Sequence, residues 1–373
     1  MQTRSRRALG DIGNLVRPPP QQGAELSKPP LTRRRAQAIK AAGAGAAAVK
    51  PPVPTLPIRK EKEPTLTAQL TARSEAACGF DAEMVDATST PVAEEPLPNI
   101  DEHDVGNQLA VTDYVEDIYS FYRKAEVQSC AAPEYMKQQP EINDKMRAIL
   151  VDWLIEVHLK FKLMPETLYL TINIIDRYLS LQQVSRKYLQ LVGVTSMLIA
   201  AKYEEVWAPV VGDFVFISDD AYTDDQLLSM EKKMLNTLRF NLTVPTPYVF
   251  VVRFLKAAAS DRQMNLLAFF FVELCLTEYV MLKYPPSMLA AAAVYAAQCC
   301  LEKSPAWTSA LQRHSGYTED QIRECATHMA RFHQKVSKTP EEHLSVVGRK
   351  YLHTKFGTVA ALTPPKSLLL LPQ

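Results

Sequence analysis

The run MRAILVDWLIEV, Met146 to Val157, reads as a helix that is apolar on nearly every side. Ile149, Leu150, Val151, Trp153, Leu154, Ile155 and Val157 spread around its circumference, the pattern of a helix surrounded by other helices. The expectation is a compact bundle of about five helices with this one at its centre. Outward from it, start signals recur ahead of further apolar stripes: Asn143 before Met146, Ser185 before the 188 to 203 run, and Thr246 followed by Pro247 at a first helical position. Thr223 and Thr318 each have Gln three residues later, a capping-box spacing. Beyond residue 107 helical periodicity dominates and strand-like alternation is hard to find, so the fold class expected is all-α. A helix near Tyr114 to Arg123, with Tyr114, Ile118 and Tyr122 on one face, precedes the bundle.

Two short signatures occur twice in the same order, which points to a duplication. YTDDQ at Tyr222 recurs as YTEDQ at Tyr317, and SMLIAA at Ser196 recurs as SMLAAA at Ser287. A boundary between two tandem repeats then falls near Leu242 to Thr246, where Pro245 and Pro247 interrupt the helices. In the second repeat the Ala-rich run Leu289 to Ala297 allows close helix approach.

Ahead of the helical region the composition changes. Residues 1–107 hold 13 of the 26 prolines and one aromatic, Phe80, too little apolar surface to offset the entropy of ordering. That segment is expected to be a disordered tail. Its first 73 residues carry 14 Lys and Arg against 4 acids, and residues 74–107 carry nine acids and no Lys or Arg. A basic tail of this kind is solvated or makes loose polyanion contacts, and the folded part shows no matching basic face, so a nucleic-acid partner is not expected.

Six cysteines (Cys78, Cys130, Cys275, Cys299, Cys300, Cys325) are scattered, with no CxxC pair and no His at metal spacing, so they read as reduced thiols and no metal is expected. Glu273 and Gln298 interrupt the longest apolar runs, which leaves no membrane span. The N-terminus lacks the apolar core of a signal peptide, and a soluble intracellular protein is expected. No Gly-rich phosphate loop, nucleophile elbow or HExxH occurs, and 12 glycines leave little material for a phosphate cradle. Neither enzyme activity nor a cofactor is expected; His158, alone on an apolar helix, reads as structural.

MRAILVDWLIEV, together with ETLYLTINIIDRYLS from Glu166, LQLVGVTSMLIAAKYEE from Leu189 and the Met230-Glu231 pair, resembles the first repeat of a cyclin. The likeness runs from about Tyr114 to Leu242, and residues 246 to about 355 resemble the second repeat. KFKLMPETLYLT from Lys160, SRKYLQLVG from Ser185 and GDFVFISDDAYT from Gly212 are closer to B-type than to A-type cyclins. The resemblance implies two tandem cyclin-fold bundles, 108–245 and 246–373, behind the 1–107 tail. It implies a regulatory subunit that binds and activates a mitotic cyclin-dependent kinase at the G2/M transition by pressing on the kinase's regulatory helix. The rival, a cyclin-fold transcription scaffold contacting DNA, would carry a zinc ribbon or basic helical face.

Residue by residue, the likeness places Lys202 and Glu231 on the kinase-contacting pair, with Phe240 as an apolar neighbour. Without it, Lys202 reads as the end of an apolar face whose amine snorkels to water. Arg147 and Asp176 match a pair tying two helices together. Met146, Ile149, Leu150, Trp153, Glu156, Leu189 and Gln190 match a docking patch for Arg-x-Leu substrates, although apolar residues at such spacing are usually core. In the tail, RRALGDIGN sets Arg6, Leu9, Ile12 and Asn14 at the spacing of a destruction box, read by the anaphase-promoting ubiquitin ligase. Arg33, Arg34 and Arg35 suit either nuclear targeting or solvation, and cytoplasm and nucleus are the expected locations. Thr90, Thr339 and Thr363 each precede a proline.

Overall fold

A computed structural model describes residues 99–339 and 345–369, among which no strand occurs. The first repeat comprises α2 (Asp144–Phe161), α3 (Pro165–Leu181), α4 (Leu189–Glu204), α5 (Val211–Ile217) and α6 (Asp224–Thr237), with α1 (Val115–Ser129) ahead of it. The second comprises α7 (Pro247–Ala257), α8 (Arg262–Thr277), α9 (Pro286–Cys300), α10 (Ser309–Ser315) and α11 (Glu319–Lys338). Two short helices follow, α12 (Val346–Leu352) and α13 (Lys366–Leu369).

Local chemistry sets the helix starts. The Asn143 side chain accepts from Met146 N at 3.0 Å, and Pro247 occupies the first turn of α7. Thr223 and Gln226 exchange bonds of 2.9 and 3.3 Å at the start of α6, and Thr318 and Gln321 form the same box on α11. The YT(D/E)DQ signature therefore marks equivalent points of the two repeats. SMLIAA does not: Ser196 sits midway along α4, whereas Ser287 opens α9. Its recurrence reflects the small and apolar residues that both buried helices require.

The helix enclosed by its neighbours is α4, in place of the expected α2. Every position from Leu191 to Ala201 is buried. A Cβ on Gly193 would lie 2.7 Å from Leu150 Cδ1, so the absence of a side chain there lets α2 seat against α4. In the second repeat α9 takes the equivalent place, with Ala290 to Gln298 all buried. Helix α2 is apolar around its circumference for a different reason: it packs on α4 on one side and on α8 and α12 of the second half on another.

The first helix also departs from expectation. Tyr114 is exposed, and the packed face is Tyr119, Tyr122 and Glu126. These meet the second repeat: Tyr119 Oη donates to Val249 O at 2.9 Å, and Glu126 accepts from Ser287 N and Oγ at 2.8 and 2.6 Å. Arg123 donates to Ser315 O and lies over the Tyr317 ring.

The tail boundary moves as well. Residues 99–107, placed in the tail by composition, fold into turns against α7. Asp101 bonds Arg253 Nη1 at 2.6 Å and Lys256 Nζ at 2.5 Å, and Lys256 also reaches Asp104. The acids of this stretch thus serve as fixed partners for two α7 cations. Burial acts to raise the Asp101 carboxyl, but the bonds from Arg253 and Lys256 prevail and hold it down at about 2. A carboxyl depressed in the folded state stabilises fully above its unfolded value, about 3.9, and the contribution is lost as pH falls toward 2. Protection of the 99–107 amides against exchange, taken relative to the intrinsic rate at each pH, is therefore expected to fall between about pH 4 and pH 2 before that of the helical core, and Asp101→Asn should show the reduced protection at neutral pH. Exchange at these amides that stays in step with the core throughout would contradict this.

Candidate functional site

Lys202 lies in the last turn of α4 and Glu231 midway along α6, and the packing of these helices brings them together. Lys202 Nζ contacts Glu231 Oε1 at 2.6 Å and Oε2 at 2.8 Å. The amine, which the apolar periodicity would send to water, is instead held across a carboxylate. With the Lys202 side chain 46% and the Glu231 side chain 13% exposed, such a pair stabilises a fold by about 1 kcal/mol or less. It does hold two opposite charges at a defined place on the surface.

Phe240 follows α6 and is 64% exposed. Arg239 and Phe240 are consecutive left-handed residues, with φ of 53° and 56°. For side chains other than glycine this costs about 1 to 2 kcal/mol per residue. Phe240 N donates to Leu235 O at 2.9 Å, and Arg177 Nη1 donates to Asn241 O at 2.9 Å, which hold the turn in place. The same consecutive left-handed geometry closes α5 at Asp219 and Asp220, with φ of 58° and 54°. Two residues missed in the sequence join this surface. Tyr203 Oη lies 2.5 Å from Thr243 Oγ1, and Leu228 sits one turn before Glu231 on α6; both are exposed. Their signal was present only as apolar residues where a solvated helix face would carry polar ones.

The residues matched to a docking patch divide. Met146, Ile149, Trp153 and Gln190 are half-buried and Glu156 is exposed, but Leu150 is 1% and Leu189 0% exposed. Those two belong to the core, because the α2–α4 contact at Gly193 closes over Leu150. The accessible patch is thus the other five. Within it Gln190 Oε1 is buried and has no hydrogen-bond partner within the protein.

Arg147 and Asp176 form the bidentate contact that their residue types suggest, with Nε–Oδ1 2.6 Å and Nη2–Oδ2 2.7 Å. Tyr135 Oη donates to Asp176 Oδ1 at 2.9 Å, and Arg147 Nη1 donates to Leu276 O of α8 at 2.9 Å. Burial works against the guanidinium charge, yet the adjoining Asp176 carboxylate raises its pKa above the ordinary arginine value. The pair joins α2 to α3 and the first repeat to the second. His158 is buried with Nε2 2.9 Å from Met164 O, the structural setting expected. Cys275 and Cys325 are buried, while Cys130, Cys299 and Cys300 are half-buried thiols. Among the described residues no His, Cys, Asp and Glu group is arranged to hold a metal, and no helix is long and apolar enough to cross a membrane. Arg6, Leu9, Ile12 and Asn14 lie outside the described residues.

Comparison with known proteins gives the setting for this geometry. The family profile described as "Cyclin, N-terminal domain" matches residues 117–243, and "Cyclin, C-terminal domain" matches 245–365. Cyclin-B2-1 of Oryza sativa subsp. japonica is 49% identical over 391 residues, covering 98% of this chain and 91% of that protein. G2/mitotic-specific cyclin-1 of Medicago sativa subsp. varia is 55% identical over 271 residues, covering 73% of this chain and 63% of that protein. A viral cyclin from herpesvirus saimiri has a similar fold, with a TM-score of 0.50 at 21% identity over 57% of this chain and 93% of that one. With its two helical repeats and a likeness to B-type cyclins across nearly its whole length, the chain belongs to the cyclin family.

Proposed function

We propose that this cyclin is the activating subunit of a mitotic cyclin-dependent protein kinase, acting at the G2/M transition through the Lys202, Glu231 and Phe240 surface. The observation that carries the reading is the Lys202–Glu231 pair, held within 2.6 Å on the exposed side of the first repeat beside a strained, solvent-facing phenylalanine. A partner helix bearing its own acid and base can exchange partners with such a pair. Once desolvated at an interface, charges that contribute little to folding contribute strongly to binding. The likeness to B-type and G2/mitotic-specific cyclins supports the mitotic assignment and the absence of catalysis by the chain itself. The test is to add the purified chain to an inactive monomeric cyclin-dependent kinase and measure co-elution and phosphate transfer to a peptide. A stable complex with raised transfer is expected, and separate elution with basal transfer would overturn the proposal.

Substrate selection is assigned to the five accessible patch residues. Met146 and Trp153 would seat the apolar residue of an Arg-x-Leu motif and Glu156 its arginine, with Ile149 and Gln190 bordering the patch. Met146→Ala with Trp153→Ala should reduce phosphorylation of Arg-x-Leu substrates by about tenfold or more, while sparing a short peptide with only the phosphorylation site, because docking raises local concentration and leaves the chemical step alone. Equal loss on both substrates would make these residues scaffold.

The Arg6, Leu9, Ile12 and Asn14 motif is assigned to recognition by the anaphase-promoting ubiquitin ligase, with Lys28, Lys40, Lys50, Lys60 and Lys62 as acceptors downstream. Arg6→Ala with Leu9→Ala should lengthen the half-life in extract containing active ligase several-fold, since a short linear motif binds through a few anchors. Kinase activation by the same variant should be unchanged. Unaltered destruction would place the signal elsewhere. The locations assigned are cytoplasm and nucleus, with Arg33 to Arg35 as the basic cluster available for import.

A further inference from the structure

Where α3 of the first repeat meets α8 and α9 of the second, the packing leaves a cavity of about 90 Å³. Its walls are apolar: Ile172 of α3, Val272 and Leu276 of α8, Leu289 of α9, and Met281 of the connection between them. One water requires about 10 to 15 Å³ and an engineered void of about 150 Å³ takes benzene, so this space suits a molecule of about four to six heavy atoms. Left empty, it forfeits dispersion contacts along every wall. Cys130, Asn173 and Leu282 of the lining are half-buried, and they mark the side that opens toward solvent.

The polar groups of the lining leave no net charge for an ion to meet. Arg147 and Asp176 hold each other through bonds of 2.6 and 2.7 Å, and the third guanidinium nitrogen donates to Leu276 O. Asn173 Nδ2 donates to Ser129 O at 3.1 Å while its Oδ1 accepts from Arg177 Nη1 at 3.3 Å. The two thiols, Cys130 and Cys275, stay protonated because burial pushes Cys130 up to about 11 and Cys275 well above the ordinary thiol value. An ion entering here would lose its hydration and gain no counter-charge. Tyr169 differs from its polar neighbours. It lines the same space, is 2% exposed, and its Oη has no hydrogen-bond partner within the protein. A buried hydroxyl in that state is costly, because folding has removed its water.

We infer that this cavity is a binding site for a small neutral molecule of about four to six heavy atoms carrying one hydrogen-bond acceptor, which takes the Tyr169 Oη proton while the apolar part fills the walls. Because the walls come from both repeats, a bound molecule is held by two bundles at once and stabilises their junction by mass action. Binding there requires no kinase.

The experiment titrates the full chain, methyl-labelled at methionine, with cyclopentanone, and follows the Met281 methyl resonance together with the melting temperature. Cyclopentane, which lacks the acceptor, and acetate, which carries a charge, are the comparisons. A saturable shift of Met281 by cyclopentanone is expected, with an affinity at least about fivefold higher than that of cyclopentane and no saturation by acetate. Tyr169→Phe keeps the ring and removes the hydroxyl, and should lower the affinity for cyclopentanone to that for cyclopentane. Ala131→Leu adds bulk at the half-buried rim and should abolish the shift at a melting temperature near that of wild type. An unmoved Met281 methyl in wild type, or a shift that persists in Ala131→Leu, would overturn the site. Acetate bound as tightly as cyclopentanone would overturn the neutral ligand. Wild-type affinity in Tyr169→Phe would overturn the hydrogen bond and leave a space for water or hydrocarbon alone.

Discussion

Asp176→Ala is expected to unfold the protein or bring it close to unfolding. The substitution leaves the Arg147 guanidinium, 1% exposed, without the carboxylate that bonds two of its nitrogens. Removing one member of a buried pair costs about 3 to 5 kcal/mol, a large share of the 5 to 15 kcal/mol that typically separates folded from unfolded chains. Tyr135 Oη loses its acceptor in the same step. Because Arg147 also reaches Leu276 O, the damage extends to the junction between the repeats. The measurement is the urea midpoint of Asp176→Ala beside that of the double variant Arg147→Met, Asp176→Leu. The double variant should be the more stable of the two, since it removes the stranded charge and refills the volume. A single variant as stable as wild type would show that the pair is solvated and does not tie the helices.

The contrast between this pair and Lys202–Glu231 shows what was legible in the sequence. Features set by neighbours in the chain were visible: the Asn143, Thr223, Thr246 and Thr318 starts all lie where side-chain chemistry placed them. The all-helical class was visible for the same reason. Depth was not. Leu150 shares the helical spacing of Met146 and Trp153, and periodicity assigns a face without saying how far α4 closes over it. Nor could the circumference of α2 say whether one bundle encloses it or two halves share it. Asp101 read as one more acid in an acidic stretch because its partners, Arg253 and Lys256, lie about 150 residues away. Lys202 and Glu231 are 29 residues apart, and only the resemblance joined them before the packing of α4 and α6 did. The cavity between the repeats carried no motif and became visible through packing alone.

Lys202→Ala and Glu231→Ala are expected to separate binding from folding. In the free chain the Lys202 side chain is 46% and the Glu231 side chain 13% exposed, and the solvated amine limits the pair's contribution to about 1 kcal/mol or less, so the melting temperature should scarcely move. At a desolvated interface the loss of one member strands the other and a charge of the partner, which costs about 2 to 5 kcal/mol. That corresponds to a loss of affinity of about 30-fold to several-thousand-fold. Lys202→Arg, which keeps the charge but not the compact ammonium, should fall between. The decisive measurement is the affinity of the full chain for a cyclin-dependent kinase, wild type against Glu231→Ala, with the melting temperature of each chain taken alongside. Tight binding by wild type, lost by at least about 30-fold in a variant that melts with wild type, is the predicted result. Equal affinity of the two chains, or a variant that binds poorly only because it has unfolded, would contradict the assignment of this surface to the kinase.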